Sequence, residues 1–364
     1  MTTPLNKRKA IVALSGGVDS AAAATLLCQE GLEVVGVFLC MQQEQTTAAA
    51  ARSCCSPLDA ADARTIAARL GIDFMTLDAN AHMEQIKDAF AAAYEAGRTP
   101  NPCILCNQQL KFGALFELAD SLGAYTIATG HYAHIHNAGQ AFSLHRAAAF
   151  DKDQSYVLFG IERARLDRIR FPLGRLPDKN RARAIVKDAG LTVFDKPDSQ
   201  EICFVPDGDY RAVLKGRAER ALLPGPILDE RGRTLGMHDG FGSFTIGQRR
   251  GIKIAAAEPL YVLSIDPEQC SITIGPRPAL LSRGLTASGA NWLADVPETF
   301  GCTIQIRYNN RGAAGQVRRA GHDRFEVVFD APVSAVTPGQ AAVLYDGDKV
   351  LGGGWIDAAV KEQA

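Results

Sequence analysis

The sequence predicts an α/β domain with a parallel sheet over its N-terminal half, followed by small, mainly β domains. Three observations predict this. Over the first 130 residues, short apolar runs alternate with helical patterns, the signature of a parallel sheet covered by helices. A pair of glycines, Gly16 and Gly17, falls directly between the first strand pattern and the first helix pattern. After about residue 205 glycine and proline become frequent, and the apolar runs shorten to strand length between turn signals.

The elements follow in order. Residues 9–14 read as a buried strand, 19–30 as an Ala/Leu-rich helix ending at Gly31, and 33–39 as a second strand. Residues 42–56 break the pattern and read as a loop. A helix over 58–70 stops at Gly71, and then come a strand at 72–77, a helix at 81–95, a helix at 107–122 and a strand at 125–129. Residues 178–189 read as a further helix, with Asp178 as N-cap and Gly190 just past its end. In the second half, residues 261–265, 271–274, 303–308, 316–319, 325–329 and 341–345 read as short strands. The strand set restarts near Arg283. The expected domains are therefore 1–205, 206–282 and 283–364.

Composition bounds the function. With 364 residues, 47% hydrophobic and 22% charged, the chain is long enough for two or three domains with a sizeable core. No run of about 18 apolar residues is present, so no membrane-spanning helix is expected. The first nine residues lack the apolar core of a signal peptide, which points to a reducing cytoplasm. The nine cysteines are therefore not expected to form a disulfide framework. The net charge of −1 does not mark a general polyanion binder. Residues 161–187, however, carry nine Lys/Arg against three Asp/Glu, a solvated face or a local phosphate-contacting patch.

The segment Leu14-Ser15-Gly16-Gly17-Val18-Asp19-Ser20 is the most specific motif. Its glycines permit tight turns and close approach of a ligand. Its backbone N–H groups and the helix N-terminus form an anion site suited to phosphate. Ser15 and Ser20 add hydroxyls, and Asp19 opens the helix where it could meet a pyrophosphate-bound magnesium ion. Gly17 is expected to be the position where a side chain would block the phosphates. No Lys-Ser/Thr pair closes the loop, so it is not a Walker loop. It resembles the loop of the ATP-pyrophosphatase (PP-loop) superfamily, which cleaves ATP between its α and β phosphates and adenylates a substrate.

Cys103-Ile104-Leu105-Cys106 lies between the turn Thr99-Pro100-Asn101-Pro102 and a helix expected to start near Asn107. That would put Cys106 at a helix N-terminus, where thiolate is favoured. Cys203 follows the polar stretch 198–201. Three thiols in this spacing fit a redox relay, or an iron–sulfur cluster with one open iron. A closed zinc site is less well served, because neither a second C-x-x-C nor a paired His is evident. Cys54 and Cys55 receive no role, and Cys28, Cys40, Cys270 and Cys302 fit core positions.

Together these segments resemble the bacterial tRNA-specific 2-thiouridylase (MnmA-type) family. Besides the loop Ser15–Ser20, the resemblance covers Gly97-Arg98-Thr99-Pro100-Asn101-Pro102, Ile104-Leu105-Cys106-Asn107, Ala128-Thr129-Gly130-His131-Tyr132 and Lys152-Asp153-Gln154-Ser155-Tyr156. It continues through Ile202-Cys203-Phe204, Thr245-Ile246-Gly247-Gln248-Arg249, Arg307-Tyr308, Thr337-Pro338-Gly339-Gln340 and Leu351-Gly352-Gly353-Gly354. The resemblance implies an adenine-nucleotide α-hydrolase-like N-terminal domain and C-terminal β-barrels. It implies ATP-dependent 2-thiolation of a wobble uridine, with tRNA and a sulfur donor or sulfur-relay protein as partners.

In that family a cysteine matching Cys203 carries a persulfide. One matching Cys106 assists sulfur release, leaving a transient Cys106–Cys203 disulfide. By position, Ala13, Leu14, the loop Ser15–Ser20, Leu39 and Gly130 would line the ATP site. Asn101, Pro102 and Cys103 would meet the target base. His131, Lys152, Asp153, Gln154, Arg307, Tyr308 and Gln340 would contact tRNA. Read without the family pattern, His131 is a strand-end histidine, and Lys152-Asp153-Gln154 is a solvated turn. Many members carry Asp where this chain has Cys103. Cysteine there completes a three-thiolate set with Cys106 and Cys203 and raises a 4Fe–4S account, in which the open iron binds the transferable sulfide. Two rivals stay open: an amide- or lysidine-forming PP-loop ligase, and a non-enzymatic tRNA or iron–sulfur binding protein.

Overall fold

A computed structural model describes residues 5–41, 57–139, 141–197, 202–205 and 208–361. The expected loop over 42–56, with Cys54 and Cys55, and the polar stretch 198–201 lie outside the described residues. The chain divides into two compact units. One comprises Met1–Ile86, Cys103–Gly208 and Asp348–Val350; the other comprises Lys87–Pro102, Asp209–Gly347 and Leu351–Ala364.

The first unit is built on strands β1 (Asn6–Ala13), β2 (Glu33–Cys40), β3 (Asp73–Asp78) and β4 (Ala124–Ala128). A hairpin follows, β5 (His134–Ala138) and β6 (Ala141–His145), and then the short β7 (Ile169–Arg170). The sheet has the order β3-β2-β1-β4-β7, and every pairing is parallel. Its helices are α1 (Val18–Gln29), α2 (Pro57–Leu70), the start of α3 (Asn80–Glu95, which belongs to the second unit from Lys87 on), then α4 (Pro102–Leu105), α5 (Leu115–Ser121) and α6 (Lys179–Asp188).

The parallel sheet follows from composition. β2 is Val-rich and buried along most of its length, and β1 is buried over Ala10, Ile11 and Val12, as strands covered on both faces must be. α1 carries four consecutive alanines with no exposed surface, which lets it lie close against the sheet and α6. Leu14, Phe38, Ile66, Leu173 and Val186 complete this core. From β1 the chain winds outward through β2 and β3, then returns to place β4 on the other side of β1. The strand order therefore reverses between β1 and β4. In open α/β sheets the crevice beyond the carboxyl ends at such a reversal is where ligands bind. The loop after β1 and the segment after β4 both lie there.

The helix expected over 107–122 differs in detail. It begins at Pro102, suited to a first helical position, and runs through α4 into a π-helical stretch, Cys106–Ala114, before α5. Asn107 Nδ2 donates to the Val157 carbonyl at 3.1 Å from inside this stretch, and Gly113 weakens it near its end. Asp178 caps α6 as expected, its side chain accepting from the Arg181 N–H at 2.9 Å.

The second unit is mainly β. β8 (Gly225–Leu228), β9 (Thr234–His238), β10 (Tyr261–Asp266) and β11 (Ser271–Gly275) form a four-stranded sheet. β12 (Leu281–Trp292), β13 (Thr299–Gln305), β14 (Ala313–Arg319), β15 (Arg324–Ser334), β16 (Ala341–Asp346) and β17 (Lys349–Val360) run in the order β12-β15-β14-β13-β16-β17. β17 pairs back onto β12 and closes a six-stranded barrel. Alternate residues such as Val317, Phe325, Val327 and Phe329 fill its interior. β12 and β17 are the long strands that the sequence reading missed, because their Gly- and Ala-rich stretches lack an alternating apolar pattern.

Candidate phosphate-binding site

β1 ends at Ala13, and the Leu14 N–H still donates to the Val37 carbonyl at 2.8 Å, so the strand delivers the chain rigidly to its C-terminal edge. The loop Ser15–Gly17 then turns into α1. Gly16 has φ +72°, and a Cβ there would overlap the Asp59 carbonyl of α2. Gly17 is extended, with φ −102° and ψ 168°, and a Cβ there would meet only Ser15 Oγ, at 3.5 Å. The conformational turn and the close packing therefore fall on Gly16, while the space beside Gly17 is open.

Hydroxyls brace the loop from within. Ser20 is buried, and its Oγ accepts from the Ser15 N–H at 3.1 Å, donates to the Gly17 carbonyl at 3.0 Å and stands 3.2 Å from Ser15 Oγ. Ser20 is thus a latch for the loop, whereas Ser15 is exposed. The first N–H groups of α1 have no helical partner, so this end of the helix offers donors and a positive dipole to an anion.

Asp19 is held on both carboxylate oxygens. The Tyr132 hydroxyl donates to Oδ1 at 3.0 Å, and Lys179 Nζ, at the start of α6, donates to Oδ2 at 3.0 Å. Its charge is paired with the Lys179 ammonium. Gly130 sits against the same helix end: a Cβ there would lie 2.7 Å from the Asp19 carbonyl carbon and 2.8 Å from the Ser20 nitrogen. On the other side, Lys196 Nζ donates to the Gly16 carbonyl at 3.1 Å, to Asp59 at 2.6 Å and to Asp62 at 2.7 Å. Burial alone would lower the Lys196 pKa, but the two carboxylates outweigh it and hold the ammonium charged. Tyr132, Lys179 and Lys196 were not singled out from the sequence. Tyr132 lay inside a quoted motif, and the two lysines carried no local signal.

Of the other expected ATP-site residues, Ala13 ends β1, and Leu39 is buried in the neighbouring β2. His131 is buried, with Nδ1 2.7 Å from Thr129 Oγ1 and its ring among Phe112 and Phe171. Burial, and secondarily Lys111, pushes its pKa well below the usual histidine range. It is therefore held as a neutral, buried imidazole bonded to its neighbour Thr129. Asp153 is likewise internal. It accepts from Arg146 at 2.9 Å, from the Ala147 N–H at 2.9 Å and from the Ser155 hydroxyl at 2.8 Å. Both members of this ion pair are more than nine-tenths buried. The Gln154 side chain turns inward to accept from the Tyr132 N–H at 2.9 Å. Lys152 is partly buried at the end of a short 3₁₀ turn.

The cysteines differ in exposure: Cys103 is exposed, Cys106 is buried, and Cys203 is intermediate. Because the helix begins at Pro102, Cys106 lies a full turn inside it rather than at its N-terminus. Among the described residues no group of three or more His, Cys, Asp or Glu is disposed to hold a metal ion. The three thiols expected from spacing, Cys103, Cys106 and Cys203, are thus not gathered as such a group among the described residues. In the second unit, Asn101 is half-buried and Pro102 buried. Arg307 Nη2 donates to the Ser334 carbonyl at 2.8 Å, Tyr308 is exposed, and Gln340 Nε2 donates to the Thr99 carbonyl at 2.9 Å.

Comparison with known proteins agrees with the full-length pattern. Residues 8–207 match the model described as a tRNA methyl transferase HUP domain. Residues 211–276 match the tRNA methyl transferase PRC-barrel domain, and 282–356 the aminomethyltransferase β-barrel domain. The chain is 43% identical over 361 residues to the tRNA-specific 2-thiouridylase MnmA of Carboxydothermus hydrogenoformans, covering 97% of this chain and 98% of that protein. It is 45% identical over 365 residues to the same-named protein of Geotalea uraniireducens, covering 98% and 96%. The chain belongs to the tRNA-specific 2-thiouridylase family. As a member of that family it places the loop Ser15–Ser20 of its HUP domain at the sheet's topological switch point. No helix among its described residues is long and apolar enough to cross a membrane.

Proposed function

We propose that the chain is an ATP-dependent tRNA-uridine 2-sulfurtransferase that activates a wobble uridine by adenylation and then replaces its 2-oxygen with sulfur. The observation that carries this reading is the braced loop Ser15–Ser20 at the end of β1, opening onto the N-terminus of α1. It is an anion cradle on a chain similar over nearly its whole length to tRNA thiouridylases. The catalytic unit is taken as residues 1–205, with 206–282 and 283–364 as the accessory β domains.

In this reading the loop backbone receives the phosphates of ATP, and magnesium enters bound to them. The uridine 2-oxygen attacks the α-phosphorus, and pyrophosphate leaves. Cys203, charged as a persulfide by a sulfur-donor protein, adds its terminal sulfur to carbon 2, and AMP departs. The Cys106 thiolate then attacks Cys203 Sγ, forming a Cys106–Cys203 disulfide and leaving the transferred sulfur on the base. The disulfide balances the two electrons that reduce sulfane sulfur to the thiocarbonyl, and an external thiol restores both cysteines. Arg307, Tyr308 and Lys152 supply dispersed tRNA contacts, and the compartment is the cytoplasm. The test is mass spectrometry of tRNA incubated with protein, ATP and a persulfide donor. A gain of one sulfur at the wobble uridine with AMP formed in equal amount is expected. Formation of AMP with no sulfur on the RNA would overturn it.

A further inference from the structure

Phe150 opens the short 3₁₀ turn Phe150–Lys152 of the first unit, and 47% of its surface is exposed. A single exposed apolar side chain needs no function. What sets this one apart is how firmly it is held. The Arg146 guanidinium carbon lies 5.6 Å from the centroid of the ring, where the ring quadrupole attracts a cation. Arg146 is itself fixed: its side chain is 7% exposed, and it donates to Asp153 Oδ2 at 2.9 Å. Its N–H donates to the Asp348 carbonyl at 2.8 Å. The Asp153 N–H donates to the Phe150 carbonyl at 3.1 Å, so one aspartate holds the backbone of Phe150 directly and its ring through Arg146. The Lys152 N–H donates to the Ala149 carbonyl at 2.9 Å, which closes the turn and sets a cationic side chain two residues from the ring.

From this we infer that Phe150 is a stacking platform for an unpaired base of the tRNA, beside the phosphate contact supplied by Lys152. The inference rests on the tRNA reading of that turn. Every nucleobase has a π-face, so a phenyl ring accepts any of them by stacking. Bases inside a duplex are already stacked, and only a base in a loop, bulge or end is available to a side chain. A wobble uridine lies in such a single-stranded loop, so the substrate has unpaired bases to offer. A lysine alone would hold the phosphates of any RNA. A ring beside it adds a contact that duplex RNA does not satisfy. Because Arg146 and Asp153 order the ring in advance, little conformational freedom is lost when a base settles on it.

The experiment separates this inference from the reading beneath it. Kd values for an unmodified tRNA and for a fully paired RNA duplex are measured over a salt series. The proteins are the full chain, Phe150→Ala, Phe150→Leu, Phe150→Trp and Lys152→Ala, with urea midpoints to show that each is folded. Phe150→Ala is expected to bind tRNA about 5- to 150-fold more weakly, the loss of one base–aromatic stack. Its slope of log affinity against log salt is expected to match the parent's, because no phosphate contact is lost. Lys152→Ala is expected to lose roughly one unit of that slope. Phe150→Leu keeps an apolar side chain without a ring face and is expected to behave as Phe150→Ala does. Phe150→Trp is expected to behave as the parent does, and duplex binding is expected to be unchanged in Phe150→Ala. Parent-like tRNA affinity in Phe150→Ala or Phe150→Leu, with Lys152→Ala weakened, overturns the inference. Parent-like affinity in both Phe150→Ala and Lys152→Ala overturns the tRNA reading of the turn instead.

Discussion

The carbonyl of Asp59 fills the space in which a side chain on Gly16 would stand. The two residues belong to the loop after β1 and to the first turn of α2, and Lys196 bonds to both. The loop is therefore shaped by a neighbour as much as by its own glycines.

Gly16→Ala is expected to destabilise the fold by about 1–2 kcal/mol from the left-handed backbone alone, and further by displacing α2. It is expected to abolish ATP binding. Gly17→Ala is expected to change stability by less than about 0.5 kcal/mol. Urea unfolding and ATP binding of the two variants check this. Equal stability loss in both would show that the conformational demand is shared.

Asp153→Ala removes one member of a buried ion pair and leaves the Arg146 guanidinium uncompensated. A loss of about 3–5 kcal/mol is expected, read from the urea midpoint. Asp153→Asn, which keeps the acceptor for the Ala147 N–H, is expected to lose less. If Asp153→Ala were as stable as the parent and only weaker for tRNA, the residue would be a surface contact after all.

Cys103 is exposed and Cys106 buried, and among the described residues no metal-holding group gathers them. Cys103→Ser is expected to retain tRNA thiolation within a few-fold, whereas Cys106→Ser and Cys203→Ser lose it. The measurement is thiolated uridine per enzyme with a persulfide donor in metal-free buffer. Loss of thiolation in Cys103→Ser, recovered after anaerobic iron and sulfide loading of the parent alone, would reinstate a three-thiolate site.

Three histidines, His134, His136 and His145, face one another on the β5–β6 hairpin. Burial first, then Arg175, His145 and His136, pushes the His134 pKa down to about 4. Arg175 Nη2 donates to its Nε2 at 3.1 Å. Burial lowers His145 too; His136 and Lys349 add to that shift, and Asp348 opposes it. Between the ordinary histidine value near 6.5 and about 4, the unfolded chain holds a proton on His134 that the folded chain does not. Stability therefore falls as pH drops through that window and is insensitive to this group above it. The urea midpoint is expected to decline from pH 7 to pH 5, less steeply in His134→Gln. Identical pH profiles would remove His134 as the cause.

The sequence by itself determined the α/β half, the β half and the location of the phosphate loop. Those features depend on local information: apolar runs of β1 and β2, the alanine face of α1, the Asp178 cap and the glycines after the first strand. It misjudged where the helix carrying Cys106 begins, because Pro102 reads equally as a turn residue or as a first helical residue. It overlooked β12 and β17, whose burial comes from closing a barrel and not from alternating side chains.

Only the tertiary structure decided which way the motif residues face. His131, Asp153 and Gln154 sit in segments that read as surface, yet each turns inward to a partner: His131 to Thr129, Asp153 to Arg146, and Gln154 to Tyr132. Lys179 and Lys196 reach the loop from 160 and 180 residues away. No local pattern encodes such pairings. A buried charge must find its counter-charge wherever the fold brings one, and that is settled by the order in which strands lie across the sheet.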